Sequence, residues 1–167
     1  MFFEDRLAEF RLVQNEVFGA TILWSAVAEY FRSTNREAGM PLPLCMTVLP
    51  LCFHVKTAET IATCQLNSGI YMALSKDRTI PAGLHARMVA MSDQTFDAIR
   101  VGVNVGLFAV DQTNTTVDII PKRITKPQEF QFEYDQTKNI ERAAKRIGRW
   151  FVDLPLPTIC SLLRVGF

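Results

Sequence analysis

The run from Val17 to Phe31 contains no proline and a single glycine, and Asn15 and Glu16 precede it as an N-cap and an acidic first turn, so it reads as a helix. Its apolar residues (Val17, Phe18, Ala20, Ile22, Leu23, Trp24, Ala26, Val27, Ala28, Tyr30, Phe31) cover nearly the whole circumference. A surface helix shows one apolar stripe. This helix must therefore lie at the centre of the fold, or a partner must cover its outer side. A chain of 167 residues suits one domain burying ~70% of its unfolded surface, and 49% apolar with 21% charged residues is an ordinary globular composition.

Polar residues from Ser33 to Gly39 end this helix, and Pro41-Leu42-Pro43 opens a second apolar helix through about Phe53, in which Pro50 marks a kink or a new start. Residues 54–66 show no period. A short helix is expected from about Asn67 to Lys76. Thr79-Ile80-Pro81 then reads as an N-cap with proline in the first turn, starting a helix to Met91 that buries Leu84, Met88 and Met91. Ser92 and Asp93 cap the next, which buries Phe96, Ile99, Val103 and Leu107 and turns Gln94, Ala98, Val101 and Val105 outward, with Asp97 and Asn104 on one side.

After these two helices, Phe108–Val110, the turn 111–114 and Thr115–Ile120 read as a hairpin, with Val117 and Ile119 alternating with Thr116 and Asp118. Helix, helix and hairpin in this order make a winged-helix arrangement, with an unrelated α+β corner as the open alternative. PKRITKP (121–127) is a basic connector, and Phe130, Phe132 and Tyr134 then alternate with polar residues as in a strand or extended arm. A last helix is expected from about Lys138 to Val152, and Pro155 and Pro157 set it apart from the apolar tail 158–167. The expected fold class is thus mainly α with a small β-hairpin (α+β), a single domain over 1–167. It comprises apolar helices at 13–54, a winged-helix-like unit at 67–120, an extended connector at 121–136 and a C-terminal helical unit at 137–167.

Chemistry is hard to find in this chain. It has no GxxxxGK phosphate loop, GxGxxG, GxSxG or HExxH. Cys45, Cys52, Cys64 and Cys160 form no CxxC, and only His54 and His85 could join them, so no zinc spacing exists and they read as buried free thiols of a reducing cytosol. His85 reads as a partly exposed, hydrogen-bonded residue at a helix edge, and His54 as a helix-end residue set against the last carbonyls. Asp93 and Asp97 share a helix flank without an evident partner group. The expectation is no catalytic residue, cofactor, metal or small-molecule substrate. Glu4, Asp5 and Arg6 stand where a signal peptide would begin its apolar region, and the apolar stretch Met40–Phe53 is too short and proline-rich to cross a membrane, so a cytoplasmic protein is expected. The sequon at Asn114 is then chance.

A net charge of +1 offers no broad basic field. The outward face of the helix after Ser92 also lacks Arg and Lys, which makes it a poor reader of a major groove, and its apolar character suits a protein contact instead. One basic stripe exists, Lys138, Arg142, Lys145 and Arg149 at spacings of four, three and four, read first as a solvated face and second as candidate contacts to nucleic-acid phosphates or an acidic partner surface. Ile159, Leu162, Leu163, Val165 and Phe167 keep the chain apolar to its last residue, so the tail packs in the core or under a partner. Trp150, adjacent to Phe151, is expected to face partly away from the core, and Arg149 and Trp150 are residue types typical of interface hot spots. The candidate partner-binding residues are Val17, Phe18, Trp24, Val101, Val105, Arg149, Trp150, Leu162, Leu163 and Phe167.

Three blocks carry a resemblance. Asn15-Glu16-x-Phe18-Gly19-Ala20-x-x-Leu23-Trp24, Pro41-Leu42-Pro43-Leu44 through Val48-Leu49-Pro50-Leu51 to His54, and Gly148-Arg149-Trp150-Phe151 with Thr158-Ile159 and Leu162-Leu163 resemble the middle-component family of ABC-three-component systems, prokaryotic conflict systems related to Lamassu. The resemblance implies a small non-enzymatic adaptor linking an SMC-like or Rad50-like ABC ATPase to an effector, often a nuclease, in defence against phage or plasmids, with DNA reached through the complex. The residues leave two other readings open. One is a winged-helix DNA-binding regulator, supported by the basic stripe, and the other a small hydrolase, opposed only by absent motifs.

Overall fold

A computed structural model describes residues 15–113, 115–126 and 135–167, with side chains of the last stretch from 137 onward. Helix α1 spans Glu16–Ser33, and Asn15 Oδ1 accepts from the backbone N–H of Val17 (2.9 Å) and Phe18 (3.3 Å), which satisfies donors the first turn leaves open. Every residue from Phe18 to Ala28 is buried. Thr21 and Ser25 can join them because their hydroxyls donate back to the carbonyls of Val17 and Thr21. The helix is apolar all round because the chain itself surrounds it.

Met40–Pro41 then forms a two-residue strand, β1, followed by α2 (Leu42–Cys52), in which every residue from Leu44 is buried. Pro50 lies inside α2 without starting a new element; the break comes at His54. Residues 55–63, which show no period, are helix α3 (Val55–Thr63). Its inward face is Thr57, Ala58 and Ile61, too short and too polar to register as a stripe, and Thr60 and Thr63 bond back to carbonyls in the preceding turn.

Helix α4 covers Ile70–Lys76, α5 Leu84–Ala90 and α6 Ser92–Asn104. Thr79 caps no helix: Asp77 Oδ1 accepts from its backbone N–H (2.9 Å) and hydroxyl (2.5 Å), closing a turn, and α5 begins only after Gly83 at φ +70°. Ser92 likewise donates to Val89 O (2.9 Å) at the end of α5 instead of capping α6. The buried face of α6 is Thr95, Ala98, Ile99 and Gly102. Ala98, expected outward, is buried, whereas Phe96 and Val103, expected inward, are exposed. The reason is volume. A Cβ at Gly19 of α1 would sit 3.4 Å from Ala98 Cβ, and one at Gly102 would fall 2.2 Å from the Phe108 ring, so this helix packs through its smallest side chains.

The hairpin is β2 (Phe108–Gln112) and β3 (Val117–Pro121), with Val110 opposite Ile119. β1 adds a third antiparallel strand through Met40 opposite Ile119, giving the order β1-β3-β2. The fold is mainly helical with this small sheet. Residues 122–126 are laid against the core: Trp24 Nε1 donates to Arg123 O (2.8 Å), Arg32 Nη2 to Ile124 O, and Lys126 Nζ meets Glu141 Oε2 at 2.9 Å. Phe130, Phe132 and Tyr134 lie outside the described residues.

Helix α7 (Asp135–Phe151) packs along α1, with Gly148 at the point of closest approach, where an added Cβ would fall 2.1 Å from Ala26 O. The tail forms α8 (Leu156–Leu163) and packs in the core through Ile159, Leu163 and Val165. A void of about 10 Å³ lined only by apolar residues, among them Leu51, Ile80, Trp150 and Leu163, marks where α7 and α8 meet α2 and α4. It offers a water no polar partner and stays dry.

Candidate partner-binding surface

Several candidate contacts turn out to be interior. Trp150 is 1% exposed, its ring lines the void with Phe151, and its Nε1 donates to Leu66 O at 2.8 Å. Elements flank α7 on two sides, so adjacent aromatics can both be buried. Trp24 is used in the same way, with its indole N–H on Arg123 O, and Phe18 and Leu163 are also buried, Phe18 stacked on Phe53 at a ring separation of 5.8 Å. A side chain whose apolar body and polar tip are both engaged within the chain has nothing left for a partner. Phe18, Trp24, Trp150 and Leu163 are therefore core residues.

Val17, Val105 and Phe167 are exposed, Val101 and Leu162 half-buried. The Gly166 N–H donates to His85 Nδ1 (3.3 Å), which holds the chain end against α5 and leaves Phe167 64% exposed beside it. Against the expectation of a partly exposed, hydrogen-bonded His85, the residue is hydrogen-bonded and fully exposed. Residue types alone missed the outward face of α6. Phe96 is 50% exposed, Val103 stands two turns further along the same side, and between them Arg100 pairs with Asp97 at 2.8 Å. The signal was present in the small residues Ala98 and Gly102, which mark the opposite side as the close-packed one.

On α7, Lys138 and Arg142 are exposed, Lys145 lies 3.8 Å from Glu141, and Arg149 is held by Asp153 at 2.8 Å. Lys126 from the connector meets the same Glu141, so the stripe borders residues 122–126. Arg146, half-buried, turns toward the chain instead: its Nε donates to Cys64 O and its Nη1 to Arg142 O.

The reactive residue types are in structural use. Burial pushes the Cys45 and Cys52 thiols far above the usual range and that of Cys160 upward, so they are poor nucleophiles. His54 stands ahead of α3, not against the end of α2, with Nδ1 2.7 Å from Thr57 Oγ1, and burial, then Arg87, lowers its pKa. Among the described residues no group of His, Cys, Asp and Glu could hold a metal. Asp118 Oδ1 is buried without a partner, opposite Asp111 across β2–β3, and burial, then Asp111, raises its pKa. A carboxyl raised in the folded state is stabilising while protonated, and that contribution is lost as pH rises from its ordinary value through the raised one. Asp118→Asn should therefore raise the melting temperature at pH 7, and the gain should shrink on acidification toward pH 4; thermal melts across that range check it.

The family model for ABC-three component (ABC-3C) system Middle Component 3 matches residues 3–167. The chain belongs to this family. No curated protein and no solved structure matches it. As a Middle Component 3 chain it is one component of a multi-part system, and none of its described helices is long and apolar enough to cross a membrane. The expected resemblance, drawn from the blocks around Trp24, Pro41 and Trp150, named the same group of systems.

Proposed function

We propose that this chain is a non-catalytic adaptor that joins an SMC-like or Rad50-like ABC ATPase to an effector, a nuclease by class, in a Lamassu-like cytoplasmic defence complex. The outward face of α6 carries the proposal: Phe96 and Val103 are exposed on one side of it, while the tryptophans and the Cys45 and Cys52 thiols are engaged within the chain. Exposed apolar residues on one side of a helix suit a protein partner. Replacing Phe96 and Val103 together by Asp should abolish capture of one of the two other components by the purified chain while leaving its melting temperature within a few degrees. Full capture by the double variant would remove α6 from the interface.

A second reading, a winged-helix DNA-binding regulator, is favoured by the exposed pair Lys138 and Arg142. If those side chains meet phosphates, reversing both to Glu should lower DNA retention and reduce the salt slope by about 2, roughly one per lost contact. An unchanged slope returns the stripe to a solvated face.

A further inference from the structure

Arg87 leaves α5 toward the corner where α2 gives way to α3. Its Nη1 donates to Ala82 O at 3.2 Å, and Gly83 presents no Cβ there; one built on it would lie 3.6 Å from Nη1. The other two nitrogens, Nε and Nη2, are out of solvent and have no hydrogen-bond partner. These two form the side-on edge of the guanidinium, spaced to hold both oxygens of one carboxylate. Buried donors on a charged group are among the costliest to leave unpaired, and a native structure that retains them calls for an explanation.

The surroundings supply none. Asp77, the acid sharing this corner, is committed to the Thr79 backbone and hydroxyl and lies 3.4 Å from Lys56 Nζ. His54 is occupied at Nδ1 by Thr57, and Val55 beside it is 52% exposed. The corner thus holds one unengaged cationic edge with an exposed valine nearby, and arginine is among the residue types that anchor interfaces. Arg87 as a whole is half-buried, so this edge lies just beneath the surface, and a partner would reach it only by rotation of the outer bonds of the side chain.

We propose that the Nε–Nη2 edge of Arg87, beside His54 and Lys56, receives one carboxylate side chain from another component of the complex. The inference rests on the adaptor reading and adds the chemistry of a contact. A nucleic-acid backbone is the poorer occupant, since it needs a run of cations, whereas a single monoanion balances a single guanidinium.

The test uses the full chain and its Arg87→Met variant. Met keeps the apolar stem and removes the unpaired donors, so the isolated variant should melt at or above the wild-type temperature, while its affinity for the other components should fall about thirtyfold. A fall of several degrees in the isolated variant would make the guanidinium structural, and unchanged affinity would leave it idle; either overturns the proposal with the adaptor reading intact. If the wild-type chain captures neither component, the adaptor reading fails, and the isolated chain decides: a saturable shift of the Arg87 Nε–H resonance with acetate, absent with matched chloride, supports a carboxylate receptor. No shift, or one produced by inorganic phosphate alone, rejects it.

Discussion

Gly148→Ala should lower the stability of the isolated chain by about 3 kcal/mol, a fall of roughly 6–12 °C in melting temperature for a domain of this size. The added methyl would fall 2.1 Å from Ala26 O and 2.9 Å from its carbonyl carbon, both backbone atoms of a helix buried on all sides. No rotamer change relieves that contact. Helices α1 and α7 would have to separate, loosening Ile147 and Phe151 on one side and Leu23 and Val27 on the other. Gly166→Ala is the control, because a Cβ there meets nothing within 4 Å. Thermal melts of the two variants should differ by nearly the whole effect, and similar melts would contradict the close α1–α7 packing.

Trp150→Ala should cost the isolated chain about 3–5 kcal/mol, since it empties a core position and leaves the Leu66 carbonyl without its donor. Trp150→Phe keeps an aromatic ring but removes the N–H and part of the ring volume, so its loss should be smaller, about 2–3 kcal/mol. Denaturant titrations of the two variants measure both losses. An alanine variant that unfolds at the wild-type midpoint yet assembles poorly would restore Trp150 to the surface.

Where local rules decide an outcome, the sequence was readable. Asn15 as cap, proline at the start of α2 and the alternation through Val117 and Ile119 each act within a few residues, and those elements stand close to their expected places. What failed depends on distant neighbours. Two residues of β1 carry no pattern of their own, and only their pairing with Ile119 and Asp118 makes them a strand. The face of α6 follows from how closely Gly19 and Phe108 approach it, which favours Ala98 and Gly102 over Phe96. Trp150 looked like an interface anchor because tryptophan often is one. The carbonyl that satisfies it belongs to Leu66, 84 residues away. Arg87 was equally invisible, since an unpaired guanidinium edge is a property of coordinates and not of residue type.

The proposed adaptor role is that this Middle Component 3 chain holds a complex together without doing its chemistry. Light scattering coupled to size-exclusion chromatography of the three components, mixed with and without it, tests this directly. The ATPase and the effector should co-elute as one species only when the chain is present. Co-elution of those two in its absence, or elution of the chain alone beside them, would contradict it.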